Sequence, residues 1–256
     1  MVPTHPAIVS RLRAVGCVFA EDEARLLVEA AGSPAELAAM VDRRSDGLPL
    51  EHVLGWAEFC GLRILVDPGV FVPRQRTEFL VRQAASLARP GAVVVDLCCG
   101  SGAVGAVLAT LVDGIDLHAA DIEPAAVRCA RRNIGADRVH EGDLYAPLPV
   151  ELRGRVDVLV ANAPYVPTGA ISLMPPEARD HEPLVALDGG SDGLDVQRRV
   201  AADAAAWLAP GGHLLVETGE RQAPHTADTF ARSGLHPRIV TSGELDATVV
   251  IGTRRG

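Results

Sequence analysis

No apolar run in the sequence is long enough to cross a bilayer, which excludes a helical transmembrane protein. The N-terminus, MVPTHPAIVSRLRAVG, has no basic segment followed by an apolar core, so a secretion signal is not expected. Five cysteines without any C-x-x-C pair form neither a disulfide framework nor a zinc site. We therefore expect a soluble, cytoplasmic protein with reduced thiols, no bound metal and no membrane partner.

Positive charge is also in short supply, because the formal net charge is −9 at pH 7. That charge opposes non-specific attraction to a nucleic-acid backbone, so a nucleic acid is the less favoured partner. The composition is 48% hydrophobic and 22% charged, as in ordinary globular proteins. At 256 residues the chain can bury the core of one large domain with a small companion.

The first part of the chain predicts a small helical domain over residues 1–46. Apolar residues recur at helical spacing through residues 7–44, Ser33 is suited to a helix N-cap, and Pro34 is suited to the first turn. The character of the sequence then changes, and glycine turns surround short apolar runs. These features predict a linker carrying a β-hairpin over residues 47–77.

Residues 78–256 predict an α/β domain. The short apolar runs AVVVDL, IDLHAA, VDVLVA and GHLLVE alternate with helix-compatible segments. Such alternation favours a doubly wound, mostly parallel sheet with helices on both faces. The last runs, LHPRIV and ATVVIG, are expected to add strands at one edge.

Two loops at the ends of predicted strands suggest a nucleotide-like ligand. In VVVDLCCGSGAVGAVLA, Gly100 and Gly102 allow a tight turn and close approach of a ligand to a helix N-terminus. Asp121 follows Gly102 by 19 residues (121 − 102), the spacing of an acid that binds a ribose diol. A ligand-free turn, and an Asp121 that caps the helix near Pro124, are the alternatives.

A third loop, EGDLYAP, offers Asp143 to an adenine amino group and Leu144 to the face of the ring, unless it is an ordinary turn. The glycine turn lacks the G-K-[ST] of a P-loop, which disfavours an NTPase. Asp96 directly precedes the turn and suits a cofactor with a cationic end. S-adenosylmethionine carries a sulfonium and an ammonium, and Asp96 can orient the amine.

The series DLCCGSG, ADIEP, GDL and NAPY resembles class I S-adenosylmethionine-dependent methyltransferases, in particular the HemK-like protein-(glutamine-N5) methyltransferases. The resemblance extends to VPRQRTE and to HEPLVALDGGSDGLD, and it covers most of the chain. It implies a Rossmann-like catalytic domain and S-adenosyl-L-methionine as cofactor. The implied cofactor-binding residues are Asp96, Cys98, Cys99, Gly100, Ser101, Gly102, Asp121, Ile122, Asp143, Leu144 and Asn162.

The resemblance also implies that the loop Asn162, Ala163, Pro164 and Tyr165 is catalytic and cradles a glutamine amide. An amide nitrogen is a poor nucleophile, so it must be held in line with the methyl–sulfur bond. The side-chain oxygen of Asn162 can accept one N–H and the carbonyl of Ala163 the other. The implied substrate-binding residues are Phe71, Pro73, Arg74, Glu78, Asn162 and Tyr165.

Three positions depart from the family pattern. Ala163 replaces the first proline of the N-P-P-Y loop, Arg76 stands where an acid is usual, and Cys98 stands where a glycine is common. We interpret Cys98 as a small buried thiol rather than a nucleophile. The N-terminal helical domain, which in the family helps to hold the protein substrate, is also short.

The resulting hypothesis is an enzyme that methylates a glutamine side chain in a protein, with the Gly-Gly-Gln loop of a peptide-chain release factor as the family's usual acceptor. One alternative is an amino-methyltransferase for a nucleobase, which the charge disfavours. The other is a non-catalytic homologue that only binds the cofactor. Neither the identity of the acceptor nor the oligomeric state can be read from the sequence.

Overall fold

The computed structural model describes residues 4–256 of the chain, so residues 1–3 of the predicted N-terminal domain lie outside the described part. The N-terminal part is helical as predicted, with α1 at His5–Ala14, α2 at Ala20–Ala30 and α3 at Pro34–Ser45. The Ser33 hydroxyl caps α3 by accepting a hydrogen bond from the backbone N–H of Glu36, at 3.2 Å.

A short helix, α4 at Leu50–Leu54, belongs by its packing to this N-terminal part. Its Val53 is buried in one apolar cluster with Leu12, Leu27 and Met40 of the first three helices. The helical packing therefore continues past residue 46, and the boundary between domains stays a prediction. None of the helices that the structure describes combines the length and apolarity needed to span a membrane.

The predicted hairpin is present, with β1 at Trp56–Phe59 antiparallel to β2 at Leu62–Leu65. It is held against the rest of the protein by the side chain of Asn133. This carboxamide accepts from the Leu65 N–H at 3.0 Å and donates to the Leu65 carbonyl at 2.9 Å. It also donates to the Ser101 carbonyl at 2.8 Å, so the hairpin and the glycine turn share one anchor.

The remainder of the chain forms a seven-stranded sheet in the order β5-β4-β3-β6-β7-β9-β8. Its strands are β3 Val93–Leu97, β4 Asp116–Asp121, β5 Val139–Glu141, β6 Val156–Ala161, β7 Leu208–Thr218, β8 Leu235–Ser242 and β9 Ala247–Arg254. Strands β5, β4, β3, β6 and β7 are parallel, whereas β9 is antiparallel to both β7 and β8. Helix α5, Thr77–Leu87, precedes the first of these strands. The helices between the strands are α6 Ala103–Leu111, α7 Pro124–Ile134, α8 Pro176–His181, α9 Asp195–Trp207 and α10 Ala223–Arg232.

Helices cover both faces of this sheet, as the apolar runs predict. Alternate residues of a strand point to opposite faces, so Val94 packs in the layer that contains α5 and α6, and Val95 packs in the layer that contains α9. The doubly wound, mostly parallel fold is therefore confirmed. The carboxyl ends of β3, β4, β6 and β7 meet along one edge, where ligands bind in such sheets.

Candidate active site

A cavity of about 1060 Å³, measured with its mouth, opens at this edge of the sheet. Most of the predicted site residues line it, from the cofactor motifs at one end to the hairpin and the Asn162 loop at the other. These residues are Phe71, Pro73, Asp96, Cys98, Cys99, Gly100, Ser101, Asp121, Ile122, Asp143, Leu144, Asn162 and Pro164.

The glycine turn connects β3 to α6 and is closed by Asp121 at the end of β4. Gly100 donates its N–H to one carboxylate oxygen of Asp121 at 2.8 Å, and Glu123 donates to the other at 2.9 Å. Gly102 has a φ of 78°, and a Cβ there would lie 3.1 Å from the Cβ of Ala130 in α7. Gly102 thus lies behind the cavity and permits close packing of two helices, while Gly100 lines the wall.

Asp96 is a buried carboxylate at the end of β3, only 2% exposed. It accepts one hydrogen bond from the Gly105 N–H at 3.1 Å, and burial raises the pKa of its carboxyl to about 7. Gly105 also completes a G-x-G-x-x-G order from Gly100, an order shared with dinucleotide sites, so the glycines alone do not identify the ligand. A buried carboxylate behind them fits a cationic group.

The neighbouring thiols have the properties of buried, protonated groups. Burial raises the pKa of the Cys98 and Cys99 thiols, with the charges of Asp121 and Asp96 adding to the effect. A thiol with a raised pKa holds its proton, so neither residue is an activated nucleophile. All five cysteines of the chain are unpaired in the structure.

The adenine end of the predicted site is apolar on one side and charged on the other. Ile122 is 52% exposed, although it is a large apolar residue, and it forms part of the cavity wall. Asp143 is paired with Arg199 of α9, 2.5 Å away. Arg199 lines the cavity too, and the sequence motifs gave no sign of it because it lies 56 residues further along the chain.

At the other end of the cavity, Asn162 is oriented by Thr77, the first residue of α5. The Asn162 amide nitrogen donates to the Thr77 hydroxyl at 3.3 Å. In this orientation the carboxamide oxygen is left to accept from an incoming donor. Ala163 is buried, and its side chain does not contribute to the cavity wall.

Three predicted substrate contacts do not line the cavity, because each side chain has a partner within the protein. The Tyr165 hydroxyl donates to Glu217 at 3.2 Å, Arg74 pairs with Glu182 at 2.6 Å, and Glu78 pairs with Arg82 at 3.2 Å. Their contact with a substrate stays a prediction.

Glu182 and Glu217 were not anticipated, although Glu182 lies in the quoted segment HEPLVALDGG. The Glu182 side chain is fully buried, and it accepts from the Val72 N–H at 3.0 Å as well as from Arg74. It thereby fastens the segment before α5 to the segment carrying Pro183 and Val185, which line the cavity. Burial raises the pKa of Glu182 despite the adjacent guanidinium.

Comparisons with known proteins agree with this geometry. A family described as "Methyltransferase small domain" matches residues 61–174. A methyltransferase structure from Pyrococcus furiosus has a TM-score of 0.58 over 77% of this chain and 91% of its own, at 16% identity. These comparisons define the fold as that of the class I S-adenosylmethionine-dependent methyltransferases.

Two curated relatives narrow the class. The release factor glutamine methyltransferase of Geobacter sulfurreducens is 38% identical over 88% of this chain and 80% of its own length. The 4-amino-L-phenylalanine/4-methylamino-L-phenylalanine methyltransferase of Streptomyces pristinaespiralis is 40% identical over 76% of this chain and 69% of its own. The chain belongs to the release factor glutamine methyltransferase family.

Family membership confirms three predictions made from the motifs: the protein is an enzyme, it is a methyltransferase, and its cofactor is S-adenosyl-L-methionine. A non-catalytic role and a nucleobase acceptor are correspondingly disfavoured. Within residues 4–256 there is no group of three or more His, Cys, Asp or Glu side chains able to hold a metal ion.

Proposed function

We propose that this methyltransferase transfers a methyl group to the side-chain amide nitrogen of a glutamine in a protein, namely the Gly-Gly-Gln loop of a peptide-chain release factor. The observation that carries the proposal is the orientation of the Asn162 carboxamide. Its nitrogen donates to Thr77, so its oxygen is free to accept a hydrogen bond from the substrate amide. Family membership supports it, because several relatives are named for this activity.

The residues at the cofactor end fit the cofactor's chemistry. S-adenosylmethionine supplies a methyl group activated by a sulfonium. The buried Asp96 carboxylate suits the ammonium of its methionine portion, because a cation restores the ionised form that burial disfavours. Asp121 has acceptor capacity beyond its two backbone bonds, which suits a ribose diol. Ile122 and Leu144 offer apolar surface to the adenine.

At the acceptor end, the proposed work of the protein is orientation. The amide lone pair is delocalised into the carbonyl group, so the nitrogen reacts only when its π face is aimed at the methyl carbon. Asn162 accepts one amide hydrogen and the Ala163 carbonyl accepts the other, which fixes the plane of the acceptor amide. The amide nitrogen would carry a positive charge directly after methyl transfer, and such an N-protonated amide is strongly acidic, so it would lose a proton to solvent without a dedicated base.

The apolar walls around Asn162 suit a substrate side chain that loses its hydration on binding. Phe59, Phe71, Pro73 and Pro164 line this end of the cavity. They cover the methylene groups of a glutamine and leave the amide as the part that makes polar contacts. We further propose that residues 1–46 help to hold the protein substrate and that the enzyme meets release factors in the cytoplasm, where they act.

The test is transfer of a labelled methyl group from S-adenosylmethionine to purified release factors, with the modified residue located by mass spectrometry. We expect labelling of the Gly-Gly-Gln glutamine and none in a matched release factor in which that glutamine is replaced by asparagine. Parallel reactions contain 4-amino-L-phenylalanine or single-stranded DNA. Labelling of either of these in preference to the release factor would contradict the proposal.

A further inference from the structure

Glu217, at the end of β7, is a buried carboxylate that the proposed chemistry does not use. It is 2% exposed. One oxygen accepts from the Tyr165 hydroxyl at 3.2 Å. Its other oxygen, Oε2, is the one buried side-chain N or O atom without a hydrogen-bond partner among the residues that the structure describes. A carboxylate in this condition is costly to bury, which calls for a role.

Glu217 and Asn162 lie side by side at the ends of neighbouring strands of the sheet. Strands β6 and β7 are parallel neighbours in which Ala161 pairs with Val216. Asn162 and Glu217 are the next residues along the two segments, so they are adjacent. Thr77 is hydrogen-bonded to one of the two side chains, because its hydroxyl accepts from the Asn162 amide at 3.3 Å. It makes no hydrogen bond to Glu217, whose Oε2 has no partner, but it lies near enough to oppose the rise in the pKa of that carboxyl.

The direction of this hydrogen-bond chain follows from the chemistry of its members. An ionised carboxylate only accepts, and a threonine hydroxyl has a single hydrogen. Thr77 accepts from Asn162, which leaves its own hydrogen to be drawn toward the partnerless Oε2 of Glu217. The Asn162 group that faces Thr77 must then be the NH₂, so the carboxamide oxygen is directed to the other side.

Arg76 and Tyr165 are the titratable groups that act on Glu217. Burial raises the pKa of Glu217, and the hydroxyl groups of Thr77 and Tyr165 and the positive charge of Arg76 oppose that rise. Burial also raises the pKa of Tyr165 to about 12, so the phenol stays a donor at neutral pH. Arg76 is one of the positions that depart from the pattern of the resembled family, and its positive charge favours the ionised form of Glu217.

We propose that Glu217 is a positioning residue that sets the flip of the Asn162 carboxamide through the Thr77 hydroxyl. The proposal deepens the acceptor site and rests on the proposed function for what that site binds. An uncharged residue at position 217 can donate to Thr77. Thr77 can then donate to the Asn162 oxygen, which turns the NH₂ group toward the acceptor and repels its N–H.

The kinetic test is a double-mutant cycle of Glu217→Gln and Thr77→Val, measured at saturating cofactor. Each single variant should lower kcat by roughly tenfold or more with the KM for S-adenosylmethionine unchanged, and the double variant should be no worse than the worse single. The matched controls are Thr77→Ser, which keeps the hydroxyl, and Glu217→Asp, which keeps the charge. Both should recover a large part of the loss.

The pH profile supplies a readout that a merely structural role would not move. Wild-type kcat should fall as the pH drops through the raised pKa of Glu217, and Glu217→Gln should lose this acidic limb. Arg76→Gln removes a nearby positive charge, so the limb should shift to higher pH. Additive losses in the cycle, or an acidic limb that persists in Glu217→Gln, would overturn the proposal.

A third measurement does not depend on the acceptor. In ¹⁵N spectra of the cofactor-bound enzyme, the side-chain amide of Asn162, assigned through its absence in Asn162→Asp, should titrate with Glu217 and cease to do so in Thr77→Val. A wild-type enzyme that labels no glutamine would refute the proposed function alone. An Asn162 amide indifferent to both substitutions would refute the positioning role even if glutamine is methylated.

Discussion

The two ends of the cavity are built in different ways. At the cofactor end, the two carboxylates around the glycine turn accept backbone N–H groups from nearby in the chain: Asp96 from Gly105, 9 residues away, and Asp121 from Gly100, 21 residues away. Asp143, paired with Arg199 across 56 residues, is the exception there. At the acceptor end, side chains meet across long separations, 85 residues between Asn162 and Thr77. Glu182 and Val72 are 110 residues apart.

This difference implies that the two ends respond separately to mutation. The cofactor end is a local strand–turn–helix unit whose geometry is fixed by main-chain hydrogen bonds. The acceptor end depends on the mutual placement of β6, β7 and the start of α5, and we propose that its polar groups orient a substrate more than they bind one. We therefore expect substitutions at the first end to change cofactor affinity and those at the second to change turnover.

The substitution Asn162→Ala is expected to give the largest difference between the effect on turnover and the effect on cofactor affinity. Removing the acceptor oxygen should lower turnover by about 100-fold or more, the scale seen when one positioning or electrostatic contact is lost. The dissociation constant for S-adenosylmethionine, measured by calorimetry, should stay close to that of the wild type. Near-normal methyl transfer by a folded Asn162→Ala protein would show that Asn162 merely ends a strand.

The converse result is expected for Asp96→Asn. Losing the charge opposite the ammonium should weaken cofactor binding by about 1.5–3 kcal/mol, roughly 10- to 100-fold. The unliganded protein should become more stable at pH 8 by about 1–3 kcal/mol, because a buried ionised carboxyl is replaced by a neutral group of the same shape. Thermal unfolding and calorimetry on the same samples check both halves. A variant that is less stable and binds as before would contradict the assignment.

The pH dependence of cofactor binding is the next smaller effect. The pKa of Asp96 is about 7 in the unliganded protein, and a bound cation lowers it, so binding requires the proton to leave. Affinity should be constant well above neutral pH and fall by up to about tenfold for each unit below it. The Asp96→Asn variant serves as the control, since its affinity should be flat over the same range.

The smallest change is expected for Ala163→Pro, which restores the family's first proline at the acceptor end. The substitution keeps the backbone carbonyl that is proposed to accept an amide hydrogen, and it stiffens a loop that is already buried. Turnover and cofactor affinity should each stay within about threefold of wild type. A large loss of turnover with normal cofactor binding would show that the loop needs the freedom of a non-proline residue.

The same contrast decides how much of the molecule can be predicted from the sequence. The runs that form β3, β4, β6 and β7 are short but alternate with helix-compatible segments, and the glycine turn after β3 and Asp121 at the end of β4 are hydrogen-bonded to each other. Strand β5, Val139–Glu141, has three residues, which is too few for an apolar period. No motif marks the roles of Thr77 and Glu217 in the sequence, because these roles depend on contacts that form only when distant segments pack together.

The Asn133 side chain also covers part of the free edge of the hairpin, on strand β2. Leu65 turns its N–H and carbonyl away from β1, and a neighbouring chain in an extended conformation could pair with such groups. Asn133 satisfies both with one side chain, and the Cys129 thiol also reaches the Leu65 carbonyl, at 3.1 Å. A carboxamide thus pairs with Leu65 as a neighbouring strand would, so this position of the edge is blocked to β-sheet pairing with another chain.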